Sequence, residues 1–303
     1  MNIDKPINVL FIDDDVNVRE SLIGEARRKR ILIRGVDNLD DGILELRSNN
    51  RIKFIILDGK GFRRRGQVKG TESSSFAIKA AQEIPRLAKE LDRYLPFCFF
   101  TGFADLASDL SGADHIVIDK NEENATEKLF EHIWRTYQNS DEGRLKQQYE
   151  PLFNSIDILS NSQAEHDLIT FLTEKDARQG NRLKHTARLI RPIMEAIFAK
   201  IAELDREMLP DGLQIGNQQS LSNAIWHLGG KPQWSKTNKK YDFGGKSYIP
   251  FHLWMSIDFL QKALSTVAMH DYPASISYYT LSSYGDILAD LLLWFSDFMR
   301  NRA

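Results

Sequence analysis

At 303 residues, with 42% hydrophobic and 27% charged side chains, the chain has length for two ordinary domains and too much apolar content for a disordered polymer. Its formal net charge of -2 excludes a surface that seeks polyanions over its whole extent. The single cysteine, Cys98, excludes an internal disulfide and is expected as a small, buried apolar group.

In chain order, Asp4 and Lys5 interrupt the opening residues, so no secretion leader is expected and a cytoplasmic location follows. Four apolar runs then end in polar residues: VLFIDDD at Asp15, FIILD at Asp58, FCFFT at Thr101 and HIVIDK at Lys120. Apolar runs of this length between polar punctuation predict strands buried on both faces of a parallel sheet. A further strand is predicted for ILIRGV at residues 31–36. Helical spacing follows the strands at residues 16–30, 40–48, 77–92, 104–110 and 122–137. Successive strand and helix units predict an α/β domain with a doubly wound, five-stranded parallel sheet. From residue 138 to 148 the chain turns polar and the strand signal disappears. Apolar residues at three- and four-residue spacing predict helices at residues 168–172, 183–204, 220–228, 251–269 and 279–299, with Pro192 starting or kinking one. A polar, Gly-rich loop is expected at residues 229–246. The apolar stretch at 288–298 is broken by Asp290 and Asp297 and predicts a core helix rather than a membrane span. The expected organisation is an α/β domain at 1–138, a linker at 139–149 and an all-helical domain at 150–303.

In a doubly wound fold the carboxyl ends of the strands share one edge, where ligands bind. Asp13, Asp14, Asp58, Thr101 and Lys120 are all expected there. Clustered carboxylates need a hard cation, and Mg²⁺ accepts a few carboxylates together with water and phosphate oxygens. A lysine and a hydroxyl beside them supply a point charge and a donor for phosphoryl oxygens. This ordered set resembles the receiver domain of two-component response regulators, over about residues 6 to 138. In that family an acidic pair follows the first strand, a phospho-accepting aspartate ends the third, a Thr or Ser the fourth and a Lys the fifth.

The resemblance implies a flavodoxin-like sheet in which Asp58 accepts the phosphoryl group. It implies that Asp13, Asp14, Asp58 and the backbone carbonyl of Lys60 hold Mg²⁺, while Lys120 and Thr101 contact phosphoryl oxygens and drive the switch. The phosphoryl donor it implies is a sensor histidine kinase or a phosphotransfer protein, and it leaves self-association as a homodimer open. Asp15 is expected to cap the following helix rather than bind metal. A haloacid-dehalogenase hydrolase, which also uses an Asp nucleophile, needs an Asp two residues later, where this chain has Lys60. Three features depart from the common receiver pattern. GKGFRRRGQVKGTESSSF replaces the usual turn after the phospho-accepting aspartate, Asn121 follows Lys120 in place of proline, and Val117 stands where many receivers have an aromatic switch residue. Readout through Thr101 and the backbone is therefore expected.

The inserted loop places Lys60, Arg63, Arg64, Arg65 and Lys69 near the expected pocket, where they could recruit an anionic donor or clamp a partner's acidic surface. A solvated loop is the plainer expectation. Residues 71–75, TESSS, are expected to cap the third helix. In the helical domain, Arg178 and His185 have the loose spacing of the catalytic pair in HEPN-type ribonucleases, which the last two helices, with Met269-His270-Asp271 and Trp294, also loosely resemble. The plainer expectation is a charged helix face of Arg178, Arg182, Lys184, Arg188 and Arg191, with His185 incidental. Lys231, Lys236, Lys239, Lys240 and Lys246, interleaved with Trp234, Tyr241 and Phe243, form a candidate nucleic-acid surface, though no familiar DNA-reading motif accompanies them. The resulting expectation is a response regulator whose helical output works through protein contacts, the alternatives being a receiver-gated HEPN-like ribonuclease or a nucleic-acid-binding regulator.

Overall fold

The computed structural model describes residues 6–64, 66, 75–103, 116–176, 180–206, 208–209, 218–235, 240–243, 245–268 and 276–301. The chain divides into two compact units, Met1–Arg144 and Leu145–Ala303.

The first unit is built on strands β1 (Ile7–Ile12), β2 (Ile31–Val36), β3 (Ile52–Leu57), β4 (Phe97–Thr101) and β5 (Val117–Asp119), all parallel in the order β2-β1-β3-β4-β5. Between them run α1 (Val16–Arg28), α2 (Leu39–Ser48) and α3 (Ser75–Glu90), and α4 (Ala125–Asn139) follows β5. Successive side chains of a strand point to opposite faces, and the cores follow that alternation. Val9, Phe11, Phe54, Ile56, Cys98 and Phe100 pack with Leu22 and Ala26 of α1 and Leu129, Phe130 and Ile133 of α4. Leu10, Ile12, Ile55, Leu57 and Phe99 pack with Leu39 and Leu46 of α2 and Phe76, Ala80, Ile84 and Leu87 of α3. The sheet is thus covered by helices on both faces, which is why its strands read as unbroken apolar runs. Burial pushes the Cys98 thiol far above its ordinary range, consistent with an inert packing role.

Local backbone chemistry moves several helix ends from their expected positions. α1 stops at Arg28, with Arg30 in the left-handed region at φ 57°. α4 begins at Ala125 rather than 122, after Asn124 at φ 64°. The expected helix at 104–110 lies outside the described residues. The stretch expected as a linker contains a helix, α5 (Asp141–Gln148). Ser140 turns the chain there, its hydroxyl donating to the Tyr137 carbonyl at 2.6 Å and accepting from the Gly143 amide at 3.0 Å. A Cβ at Gly143 would lie 2.0 Å from that carbonyl oxygen, so the close turn requires glycine.

The second unit is helical: α6 (Glu150–Leu159), α7 (Ser162–Glu174), α8 (Gly180–Arg188), α9 (Ile190–Leu204), α10 (Gln218–Leu228), α11 (Phe251–Ala263), which continues as a π-helical turn at Leu264–Ala268, and α12 (Tyr278–Arg300). The single helix expected over 183–204 is two. Pro192 sits in the first turn of α9, where its missing amide is tolerated and its ring would clash with the carbonyl four residues back in a continuous helix. The loop expected at 229–246 contains an antiparallel ribbon of β6 (Pro232–Ser235) and β7 (Lys240–Phe243), with Trp234 opposite Tyr241, so the strand signal does return. α12 supplies Leu281, Leu288, Leu291, Leu292 and Phe295 to a core shared with α6 to α11. Among the described residues no helix is long and apolar enough to cross a membrane.

Candidate functional site

The site lies at the carboxyl edge of the sheet because the ladder continues one residue past the strands. The Asp13 amide donates to Val36 at 3.1 Å, the Asp58 amide to Ile12 at 2.9 Å and the Lys120 amide to Thr101 at 2.8 Å. Those bonds hold three functional residues in register at one rim. Carboxylate oxygens of Asp13, Asp14 and Asp58 lie within 4.8 Å of one another. Asp13 and Asp58 are buried, at 2% and 8% exposure, and Asp14 is half-buried.

Lys120 spans the two buried acids. Its Nζ donates to Asp13 Oδ2 at 2.8 Å and to Asp58 Oδ1 at 3.0 Å. Asp13 Oδ1 accepts the Asp15 amide at 2.8 Å, and the Arg19 guanidinium donates to the Asp13 carbonyl. Asp58 Oδ2 accepts the Lys60 amide at 3.3 Å. Asp15 caps α1, taking the Asn17 amide at 2.8 Å, as expected of it. Burial raises the Asp58 pKa, Lys120 opposes that rise and Asp13 adds to it. Burial alone would lower the Lys120 pKa, but Asp58 and Asp13 outweigh it and raise it. Both directions follow from one ammonium shared between two buried carboxylates, which leaves negative charge in excess.

Thr101 is fully buried at the end of β4 and its hydroxyl accepts the Phe103 amide at 3.3 Å. Asn121, given no role by sequence reasoning, ties the two rim loops together. Its side chain donates to the Gly102 carbonyl at 3.1 Å and its amide to Asp119 at 2.9 Å. That anchoring holds the turn from which Lys120 projects. The only sequence signal for it was an amide side chain directly after the lysine.

After Asp58 the chain pairs with the start of α2. Phe62 forms a parallel bridge with Asn38, and the Leu39 and Asp40 amides donate to the carbonyls of Phe62 and Arg63 at 3.1 and 3.3 Å. These bonds satisfy free amides at the start of α2. Since β1 lies between β3 and β2 in the sheet, residues 59–62 must cross the end of β1 to reach Asn38. The Lys60 ammonium sits 3.7 Å from the centre of the Phe103 ring. Arg65 and Lys69 lie outside the described residues, as does the TESSS tract before Ser75.

His185 is exposed on α8, and Arg178 lies outside the described residues. The expected charged face divides instead. Arg182 pairs with Glu174 at 3.4 Å, and Arg191 turns inward at 5% exposure to meet Glu195 at 2.9 Å and Ser265 at 3.4 Å. Met269, His270, Asp271, Lys236 and Lys239 also lie outside the described residues. Lys231 stands over the rings of Phe251 and Trp254, and Lys246 over Tyr248.

The three carboxylates can hold a metal ion, and their hard oxygen donors suit a hard divalent cation. The parallel sheet with helices on both faces and this acidic rim is compatible with a receiver-like fold. The chain matches no protein-family model and no curated protein.

Proposed function

We propose that the first unit is a phospho-accepting receiver that controls the helical unit, and that the output is made by binding rather than catalysis. The observation that carries the reading is Lys120 bonded to both Asp13 and Asp58 inside a three-carboxylate cluster at the carboxyl edge of the sheet. In this reading Asp58 attacks the phosphorus of a phosphohistidine or a small acyl phosphate. The donor's bond to phosphorus breaks with its electron pair, and an aspartyl phosphate forms. Asp13, Asp14, Asp58 and the Lys60 carbonyl would hold Mg²⁺, which would supply positive charge to the phosphoryl oxygens. Lys120 exchanges its Asp58 contact for a phosphoryl oxygen, keeping Asp13 as its partner. Thr101, at the same rim, exchanges its backbone contact for another such oxygen, and the loop at Phe103 moves with it. A histidine kinase or phosphotransfer protein is the natural donor.

The test is intact-mass spectrometry after incubation with acetyl phosphate and MgCl₂. The expected result is the mass gain of one phosphoryl group, absent in Asp58→Asn and absent after chelation. A gain that persists in Asp58→Asn would place the acceptor elsewhere and overturn the reading.

A further inference from the structure

One segment of the second unit, around the end of α10 and the start of α11, carries an excess of positive charge. Residues 226–262 contain six lysines, no arginine or glutamate and two aspartates, a local excess of four positive charges in a chain of net charge -2. One of those aspartates, Asp258, is engaged by the Trp226 indole at 2.9 Å and by Lys262 at 2.7 Å. An excess of positive charge of this kind favours an anionic partner.

Aromatic rings of the same segment lie beside two of its lysines. Lys231 lies 5.2 Å from the centre of the Phe251 ring and 4.7 Å from that of Trp254, and Lys246 lies 4.8 Å from Tyr248. Backbone bonds hold these parts together. The Lys231 amide donates to Trp226 at 3.0 Å and the Tyr248 amide to Leu228 at 2.7 Å, so the end of α10 and the approach to α11 are joined. Phe251 is 62% exposed.

We propose that this face, formed by Lys231, Lys246, Tyr248, Phe251 and Trp254, binds single-stranded nucleic acid. A lysine resting on a partly exposed ring gains only a weak cation–π contact. When a strand arrives, the ammonium can turn to a phosphate while a base takes its place on the ring. Stacking of a base on an aromatic side chain is the stronger contact, and the phosphate contact also releases counterions. A duplex offers its phosphates but keeps its bases stacked on one another, so it engages the lysines and leaves the rings unused. An acidic peptide does the same. The inference does not rest on phosphorylation of Asp58.

The test is fluorescence anisotropy of the full chain with fluorescein-labelled oligo(dT) and oligo(U) over a KCl series. Saturable binding that weakens with salt is expected. Lys231→Glu with Lys246→Glu should lower affinity at least tenfold and reduce the log–log salt slope by about 1.4, at ~0.7 for each lost phosphate contact on a single strand. Phe251→Ala, at an exposed position, should lower affinity several-fold with the slope unchanged, and it serves as the test if the double charge reversal fails to fold. Absence of binding at low salt overturns the proposal. So does competition by a duplex or by polyglutamate as effective as that of the single strand, with Phe251→Ala neutral, because the face would then be a plain polyanion-binding surface.

Discussion

Asp58 is held at a cost. Its pKa is raised in the fold, chiefly by burial and also by Asp13, so the folded chain keeps this proton to a higher pH than the unfolded chain. Stability therefore falls as pH rises from the ordinary carboxylate range through the raised value. Asp58→Asn is expected to raise the melting temperature at pH 7, with the gain vanishing once pH drops below about 3.9, the ordinary aspartate value. Thermal melts across pH check this, and a lower melting temperature at neutral pH would contradict it. Divalent-ion binding competes with the same proton, so its affinity should rise with pH through the Asp58 titration and then level off, as isothermal titration would record.

Lys120 has a linkage of the same sign in a more alkaline window, where what is lost is a stabilising contribution. Its raised pKa means that its contribution is present throughout the neutral range and is lost only in alkali, as pH rises through the folded value. Lys120→Ala leaves two buried acids without their shared cation. The expected loss is about 2 kcal/mol in chelated buffer, below the ~3–5 typical of a broken, fully buried pair because the lysine side chain is 21% exposed. Urea melts with and without MgCl₂ should show the deficit shrinking when the ion is present. The polar residues at four strand ends were legible in the sequence. Asn121 was not, because its role depends on the Gly102 carbonyl of a different loop.

At the scale of elements, two glycines inside helices separate propensity from packing. Gly24 in α1 has open space where a Cβ would stand, so Gly24→Ala should stabilise by about 0.5–1 kcal/mol through backbone entropy alone. Gly42 in α2 would bring a Cβ to 2.4 Å from Ile12 Cδ1 on β1. Overpacking costs ~1–3 kcal/mol, so Gly42→Ala should be destabilising despite the same gain in propensity. Chemical denaturation of the two variants side by side measures the contrast. Apolar periodicity located most helices, since each buries one stripe. It missed α5, whose sequence DEGRLKQQ is nearly all polar. It also merged α8 with α9, because the apolar stripe runs on across a break that Pro192 imposes on the backbone.

At the scale of the molecule, each unit has its own apolar core, two clusters around the sheet in the first and one among the helices in the second. Residues 1–144 should therefore fold alone with a single cooperative urea transition, and a fragment without one would show that its core is incomplete. An output by binding also predicts that the phosphorylated protein leaves total RNA uncut and that His185→Ala changes nothing. Cleavage abolished by His185→Ala would instead establish general-base chemistry, which contributes about 10²–10⁴-fold to rate.

The order of apolar runs and their polar ends determined the parallel sheet, its carboxyl edge and the residues gathered there, because a strand buried on both faces must be apolar throughout and can place polar groups only at its ends. The helical class of the second unit was equally determined by spacing. Tertiary structure alone decided that one lysine serves both buried acids, that the chain after Asp58 crosses β1 to close the start of α2, and that Arg191 faces inward while His185 faces water. Those outcomes depend on which distant backbone groups and charges meet when the elements pack, and side-chain periodicity along a single segment carries no record of its neighbours.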